Sequence, residues 1–257
     1  SQPYPIDFTL CFALASISMA ISLGFISLTR EQAHDSNGRN ATQHAFMANL
    51  STIIKRDVNF RWFLLCRNLT QFSTMGFAFY TVYAVNFFSI NEKVIGFMTG
   101  ILLATQVLAN PILGWLGDRR GHLLALQIGI LASVLSAGLA WLAQTPGWFY
   151  PIFLFAGIAN VSAWTVPMAL TIEFSPLELR TSYIGLANTL VAPSTFLAPV
   201  LGGLIADLAG YPVTFLLSGL AGVVTFLITY AIRNPRHHLQ KELIQTRIES
   251  FQEVEDG

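Results

Sequence analysis

Long uncharged apolar runs alternate along this chain with short polar breaks. The runs lie near 8–28, 62–86, 94–115, 123–143, 148–172, 182–206 and 212–232. Each approaches or exceeds the roughly 20 residues that a helix needs to cross about 30 Å of hydrocarbon, so the pattern predicts seven membrane-spanning helices. The breaks carry turn chemistry at Asn91-Glu92-Lys93, 117–121, Thr145-Pro146-Gly147, 176–180 and Gly210-Tyr211-Pro212. Connections this short make neighbouring helices antiparallel. Residues 31–61 differ: they are polar and mixed in charge, and 34–40 read as a flexible linker. The predicted organisation is a first membrane helix at 1–30, a linker at 31–61, a six-helix domain at 62–232 and a charged tail at 233–257.

Composition agrees with a membrane protein. Hydrophobic residues make up 53% of the chain and charged residues 11%, against roughly 25% charged in an average soluble domain. The 14 basic residues balance 14 acidic ones with no basic face, which argues against a nucleic-acid partner. Cys11 and Cys66 lie in apolar runs as small hydrophobes, not as a disulfide framework. Charge also sets direction, because Lys and Arg gather in short cytoplasmic loops. Lys55, Arg56, Arg61, Arg119, Arg120, Arg180 and Arg233 fall in one alternating set of loops, whereas Lys93 falls in the other. The start of the chain is therefore expected outside and its tail in the cytoplasm, in a plasma or bacterial inner membrane.

Two stretches repeat the spacing G-x-x-x-D-x-x-G: Gly114, Asp118 and Gly121, then Gly203, Asp207 and Gly210. Each closes the second helix of a three-helix set, the first copy on the cytoplasmic side and the second outside. That is the pattern of an inverted repeat, common in secondary transporters; ordinary turn chemistry gives the same residues. Asp118 reads either as a group that latches one conformation near a helix end or as a solvated loop residue.

Polar side chains inside the spans are costly unless they face protein or a water-filled cavity. Asn68, Gln71, Thr74 and Thr81 recur along one face of the second span. The third offers Gln106 and Asn110, the fifth Asn160 and Trp164, and the sixth Asn188 and Thr195. The fourth and seventh spans contain little beyond Ser, Thr and one Gln and read as lipid-facing supports. Two readings of these residues stand together, a substrate pathway and interhelical hydrogen-bond glue. No Asp, Glu, Lys or His lies mid-span in the last six helices. Amides, hydroxyls and aromatics point to a neutral polar or amphipathic solute. Pro167, Pro193 and Pro199 are candidate bending points.

Gly114, Asp118, Arg119 and Gly121, with Pro111 before them, resemble the loop signature of the major facilitator superfamily, although its closing basic pair is missing. Glu173-Phe174-Ser175-Pro176-Leu177-Glu178-Leu179-Arg180 is similar to the acidic segment that follows that family's tenth helix. The resemblance covers residues 1–232. It implies that span 8–28 is helix six, that the remainder is helices seven to twelve, and that helices one to five are absent, in keeping with a chain that opens on Ser1. It further implies an all-α, polytopic six-helix bundle of two inverted triplets. Asp118 and Arg119 would form a gating contact whose partner lies in the missing half of the same protein. Glu173, Glu178 and Arg180 would form a charge cluster at the cytoplasmic helix ends.

The function expected is a secondary active or facilitative transporter that moves a small solute by alternating access, with the bilayer and the missing half as its other partners. The alternative is a non-transporting binding or scaffold subunit of the same fold. A membrane enzyme ranks third, because no catalytic cluster or nucleotide loop is present. His34, His44, His122, His237 and His238 suggest no metal site, and no cofactor is expected. Four Asn-x-Ser/Thr matches, at Asn40, Asn49, Asn68 and Asn160, fall in cytoplasm or lipid on the predicted topology and are discounted.

Overall fold

The computed structural model describes residues 6–28, 53–176 and 179–233. The chain divides into two units, Ser1–Ala45 and Phe46–Gly257. The first contributes α1 (Ile6–Ser27), an apolar helix of 22 residues.

The described part of the second unit begins with a helical turn at 53–56 and then α2 (Val58–Ser73). Asp57 caps α2 by accepting a 2.8 Å hydrogen bond from the backbone N–H of Phe60, which satisfies one of the orphan donors of the first turn. There follow α3 (Phe77–Phe88), α4 (Glu92–Arg120), α5 (His122–Leu142), a 3₁₀ turn at Pro146–Trp148, α6 (Phe149–Phe174), α7 (Arg180–Ala209) and α8 (Tyr211–Thr229). Five of these elements are long and apolar enough to cross a bilayer: α4, α5, α6 with its preceding turn, α7 and α8. Among the described residues all regular structure is helical, and the protein is a polytopic helical membrane protein.

Two predicted details change. The run at 62–86 is not one helix. It breaks at Thr74-Met75-Gly76, where hydrogen bonds tighten from the α spacing to steps such as Met75 N–H to Phe72 C=O and Phe77 N–H to Thr74 C=O. The helices containing Pro111, Pro167, Pro193 and Pro199, by contrast, run on uninterrupted. Residues 117–120 also remain helical, so Gly121 alone separates α4 from α5.

Packing reveals the internal symmetry. With α2–α3, α4 and α5 as one triplet and α6, α7 and α8 as the other, α4 packs on α6 while α7 packs on α2. Likewise α5 packs on α6, α8 packs on α2, and α5 and α8 meet each other. Exchanging the triplets leaves this pattern unchanged, as an inverted repeat requires. The junction glycines agree: Gly121 has φ 100° and ψ 141°, and Gly210 has φ 89° and ψ 160°. Each donates its N–H to the carbonyl four residues back, Gly117 at 2.8 Å and Ala206 at 3.0 Å. The Gly/Asp spacing thus marks one backbone device used twice.

Lipid supplies no hydrophobic force between helices, so their association depends on close packing and hydrogen bonds. A Cβ placed on Gly157 would lie 2.7 Å from the Leu102 carbonyl oxygen of α4, and one on Gly222 would lie 2.6 Å from Ser73 Oγ of α2. Ser136 bonds the Tyr80 hydroxyl and the Ile152 carbonyl, and Ser162 bonds the Leu126 carbonyl. Apolar clusters lie to either side of this small-residue zone. One includes Phe60, Phe63, Leu126 and Leu170, and the other Tyr80, Tyr83, Phe149 and Phe215.

Candidate functional site

Both α2 and α7 carry polar residues about two to three turns from their first residues, and the structure joins them. Arg67, at the tenth position of α2, is 8% exposed and donates from Nη2 to Asn188 Oδ1 of α7 at 2.9 Å. Among the described residues its Nε and Nη1 are buried without a hydrogen-bond partner, and no carboxylate forms an ion pair with it. The adjacent Asn68 donates to the Leu64 carbonyl at 2.8 Å and accepts from Ser194 Oγ of α7 at 2.6 Å. Gln71, one turn beyond Arg67, is buried. Near the starts of the same helices, Tyr183 donates its hydroxyl hydrogen bond to Asp57 Oδ2 at 3.1 Å.

The other predicted pathway residues are spread more widely. Thr74 bonds the Thr70 and Gln71 carbonyls at the α2–α3 break, and Thr195 bonds the Val191 carbonyl within α7. Thr81 on α3 and Gln106 on α4 are half-buried, and exposed Asn110 donates to the Gln106 carbonyl at 2.9 Å. On α6, Asn160 is half-buried and Trp164 is 59% exposed. Among the described residues no hydrogen bond ties the α4 or α6 groups to the α2–α7 pair, so the four-helix polar pattern includes one joined strip and two separate faces.

A second constellation lies where α4 meets α5. His122 is the first residue of α5, and its side chain is largely buried. Its Nδ1 is 2.7 Å from Glu173 Oε1 near the end of α6, and its Nε2 is 3.9 Å from Asp118 Oδ1. The Arg119 guanidinium stacks 4.5 Å over the Trp115 ring, a cation–π contact. Gly114 is half-buried within α4, and Arg180 is exposed at the start of α7. Glu178 lies outside the described residues.

Arg67, Ser194 and His122 join these constellations although the sequence pattern did not single them out. Arg67 carried the plainest signal, a cation inside an apolar run: insertion scales place such a residue about 2.5–3.5 kcal/mol uphill at a helix centre. It also alters the expectation of a purely neutral polar lining. Ser194 and His122 had no local signal, because their partners are 126 and 51 residues away. The Asn68–Ser194 bond is expected to show a coupling of about 0.6 kcal/mol, up to ~2 kcal/mol, in an Asn68→Ala/Ser194→Ala double-mutant cycle followed by unfolding in bicelles. A coupling of zero would mean that the two side chains do not meet.

Comparison with known proteins places this arrangement. Residues 63–253 match the family model described as Major Facilitator Superfamily. The vesicular acetylcholine transporter unc-17 of Caenorhabditis elegans is 24% identical over 156 residues, covering 59% of this chain and 28% of that protein. The class H tetracycline resistance protein of Pasteurella multocida is 28% identical, covering 48% of this chain and 31% of its own length. The multi-drug resistance efflux pump PmrA of Streptococcus pneumoniae is 29% identical, covering 53% and 36%. The chain thus spans between 28% and 36% of these relatives' lengths.

Proposed function

Because the chain belongs to the Major Facilitator Superfamily, we propose that it is part of a secondary active or facilitative transporter that moves a small solute across a membrane by alternating access. Its six-helix unit works with a second six-helix half, and the solute passes between them. The observation that carries this reading is the polar strip between α2 and α7 within a bundle of two inverted triplets. Inverted repeats let one unit rock against another around a fixed midplane site. Asn68, Gln71, Gln106, Asn110, Asn160, Trp164 and Asn188 border the pathway, with Thr74, Thr81 and Thr195 adding hydroxyls along the same helices.

The decisive measurement is flux in proteoliposomes containing the full-length protein, together with distance measurements between labelled helix ends. Solute-dependent flux and exchange between inward-open and outward-open states are the expected results. If a broad solute panel gave no flux and the labels showed one unchanging state, the transporter reading would fail.

The bias of Arg and Lys toward one set of loops supports a cytoplasmic position for the α4–α5 and α6–α7 connections in a cell membrane. A cysteine introduced at Lys93 should react with an impermeant reagent added outside intact cells, whereas one at Arg180 should not. Asp118, His122 and Glu173 act as a latch at the cytoplasmic helix ends, with Gly114, Arg119 and Arg180 around them. His122→Ala is expected to change the ratio of the two states about fivefold, corresponding to ~1 kcal/mol for one hydrogen bond. An unchanged ratio would leave the His122–Glu173 pair a static tie.

A further inference from the structure

We propose that Arg67, with Asn188 beside it, forms a binding site for the anionic group, a carboxylate or a phosphate, of the transported solute. The proposal rests on the transporter reading and adds the chemical class of its cargo.

Three observations lead to it. First, Arg67 is charged and more than nine-tenths buried, yet among the described residues two of its three guanidinium nitrogens have no hydrogen-bond partner. Buried charges are ordinarily paired and fully hydrogen-bonded, so this one is set for an acceptor that the described residues do not supply. Second, the neighbouring groups have the complementary valence. Asn188 uses its carbonyl oxygen on Arg67, which turns its two amide N–H donors away from the guanidinium. A guanidinium has donors and no acceptor capacity. The unpartnered guanidinium N–H groups therefore match an acceptor-only ligand, and an oxyanion, which offers several acceptor oxygens, suits them best. Third, Asn188 is exposed on α7 and its carboxamide touches the guanidinium, so the pair reaches the surface of the bundle through Asn188. Arg67 and Asn188 lie at matching depth, about 14 Å and 12 Å along their helices from the first residues at 1.5 Å per residue.

The site differs from the Asp118–His122–Glu173 constellation, which belongs to the α4–α5 junction and the end of α6. It also gives a role to a cation in a span whose remaining polar residues are neutral amides and hydroxyls. An anion on Arg67 would complete the pairing that Asn188 begins, and the Asn68–Ser194 bond, at the next residue of α2, ties α2 to α7 beside it.

The test uses the full-length protein in nanodiscs and three probes of similar shape: benzoate, benzamide and benzylamine, with inorganic phosphate as a fourth. Binding is read by competition and by ligand-induced shift in melting temperature. Benzoate is expected to bind at least about tenfold more tightly than benzamide, with benzylamine weakest. Arg67→Gln should abolish the preference of benzoate over benzamide. Arg67→Lys should retain part of it. A shift with phosphate as well as benzoate assigns the site to oxyanions in general; a shift with benzoate alone assigns it to carboxylates. Equal binding of benzoate and benzamide, or an anion preference that survives Arg67→Gln, would overturn the proposal. So would a full-length protein in which another segment's carboxylate already neutralises Arg67, seen as loss of folding in Arg67→Gln and its recovery when that carboxylate is also made neutral. If Arg67→Gln does not fold, Asn188→Leu provides the second reading, with a loss of benzoate preference of about threefold or more expected and no loss overturning the proposal. Helix-end distances measured in the same samples separate the two failures: exchange between states without anion preference removes this site alone, whereas a single static state removes the transporter reading.

Discussion

Gly129→Val is expected to prevent the six-helix unit from assembling, and Gly129→Ala to destabilise it by about 1–3 kcal/mol or more. A Cβ on Gly129 would fall onto Ser162 Cβ of α6 and lie 3.2 Å from Ser162 Cα. Neither atom belongs to a flexible side-chain end, so the clash can be relieved only by moving one helix axis away from the other. That movement would stretch the Ser162 hydrogen bond to the Leu126 carbonyl, now 3.1 Å, and loosen a helix pair that buries Ala125, Ala132 and Ala137 on one side and Ala156, Ala159 and Ala163 on the other. Gly138→Ala is the internal control, because nothing lies within 4 Å of the Cβ position there. Unfolding by SDS titration in bicelles should separate the two alanine variants clearly. Ser162→Gly should restore much of the loss caused by Gly129→Ala, since it removes the Cβ that collides. Equal stability of Gly129→Ala and Gly138→Ala would show that α5 and α6 do not approach this closely.

The spans were legible because hydrocarbon tolerates few charges and no unsatisfied backbone, so each crossing leaves a long apolar run. Their ends were less legible. Asp118, Arg119 and Arg120 look like a loop by charge, yet a helix near an interface carries such residues through its last turn, and Arg119 rests on Trp115 one turn back. The break at 74–76 carried no proline signal. It lies where Gly76 comes against α8: a Cβ placed on this glycine would sit only 3.1 Å from Ser218 Oγ and 3.2 Å from the Phe215 ring, a constraint from a helix about 140 residues later in the chain. The prolines of α4, α6 and α7 mark no such break, since those helices continue through them. In the candidate site, the amide stripe of α2 was visible by spacing, because a helix presents every third and fourth residue on one side. Which α7 residues it meets depended on the crossing of two helices more than 100 residues apart, and neither Ser194 nor Asn188 could be assigned a partner before that crossing was known.

Gly121→Ala and Gly210→Ala should lower stability by similar amounts, about 1–3 kcal/mol each, because both glycines hold backbone angles that a side chain disfavours. The penalty is local: each glycine ends one long helix, accepts no side-chain cap, and turns the chain into the next helix within a single residue. Far apart in sequence and in different triplets, the two changes should also add within about 0.5 kcal/mol in the double variant. Their effects on conformational balance should differ. Gly121 immediately precedes His122, so relaxing its backbone moves the ring that bridges Asp118 and Glu173. Gly210 precedes Tyr211, which packs among Phe79, Tyr83 and Phe87 and carries no ionisable bridge between triplets. Gly121→Ala should therefore shift the ratio of inward-open to outward-open states in distance measurements, and Gly210→Ala should leave it within about twofold. Stability losses differing by more than about 2 kcal/mol would deny the equivalence of the two turns. A shared shift in state ratio would transfer the latch from the His122 contacts to the turn itself.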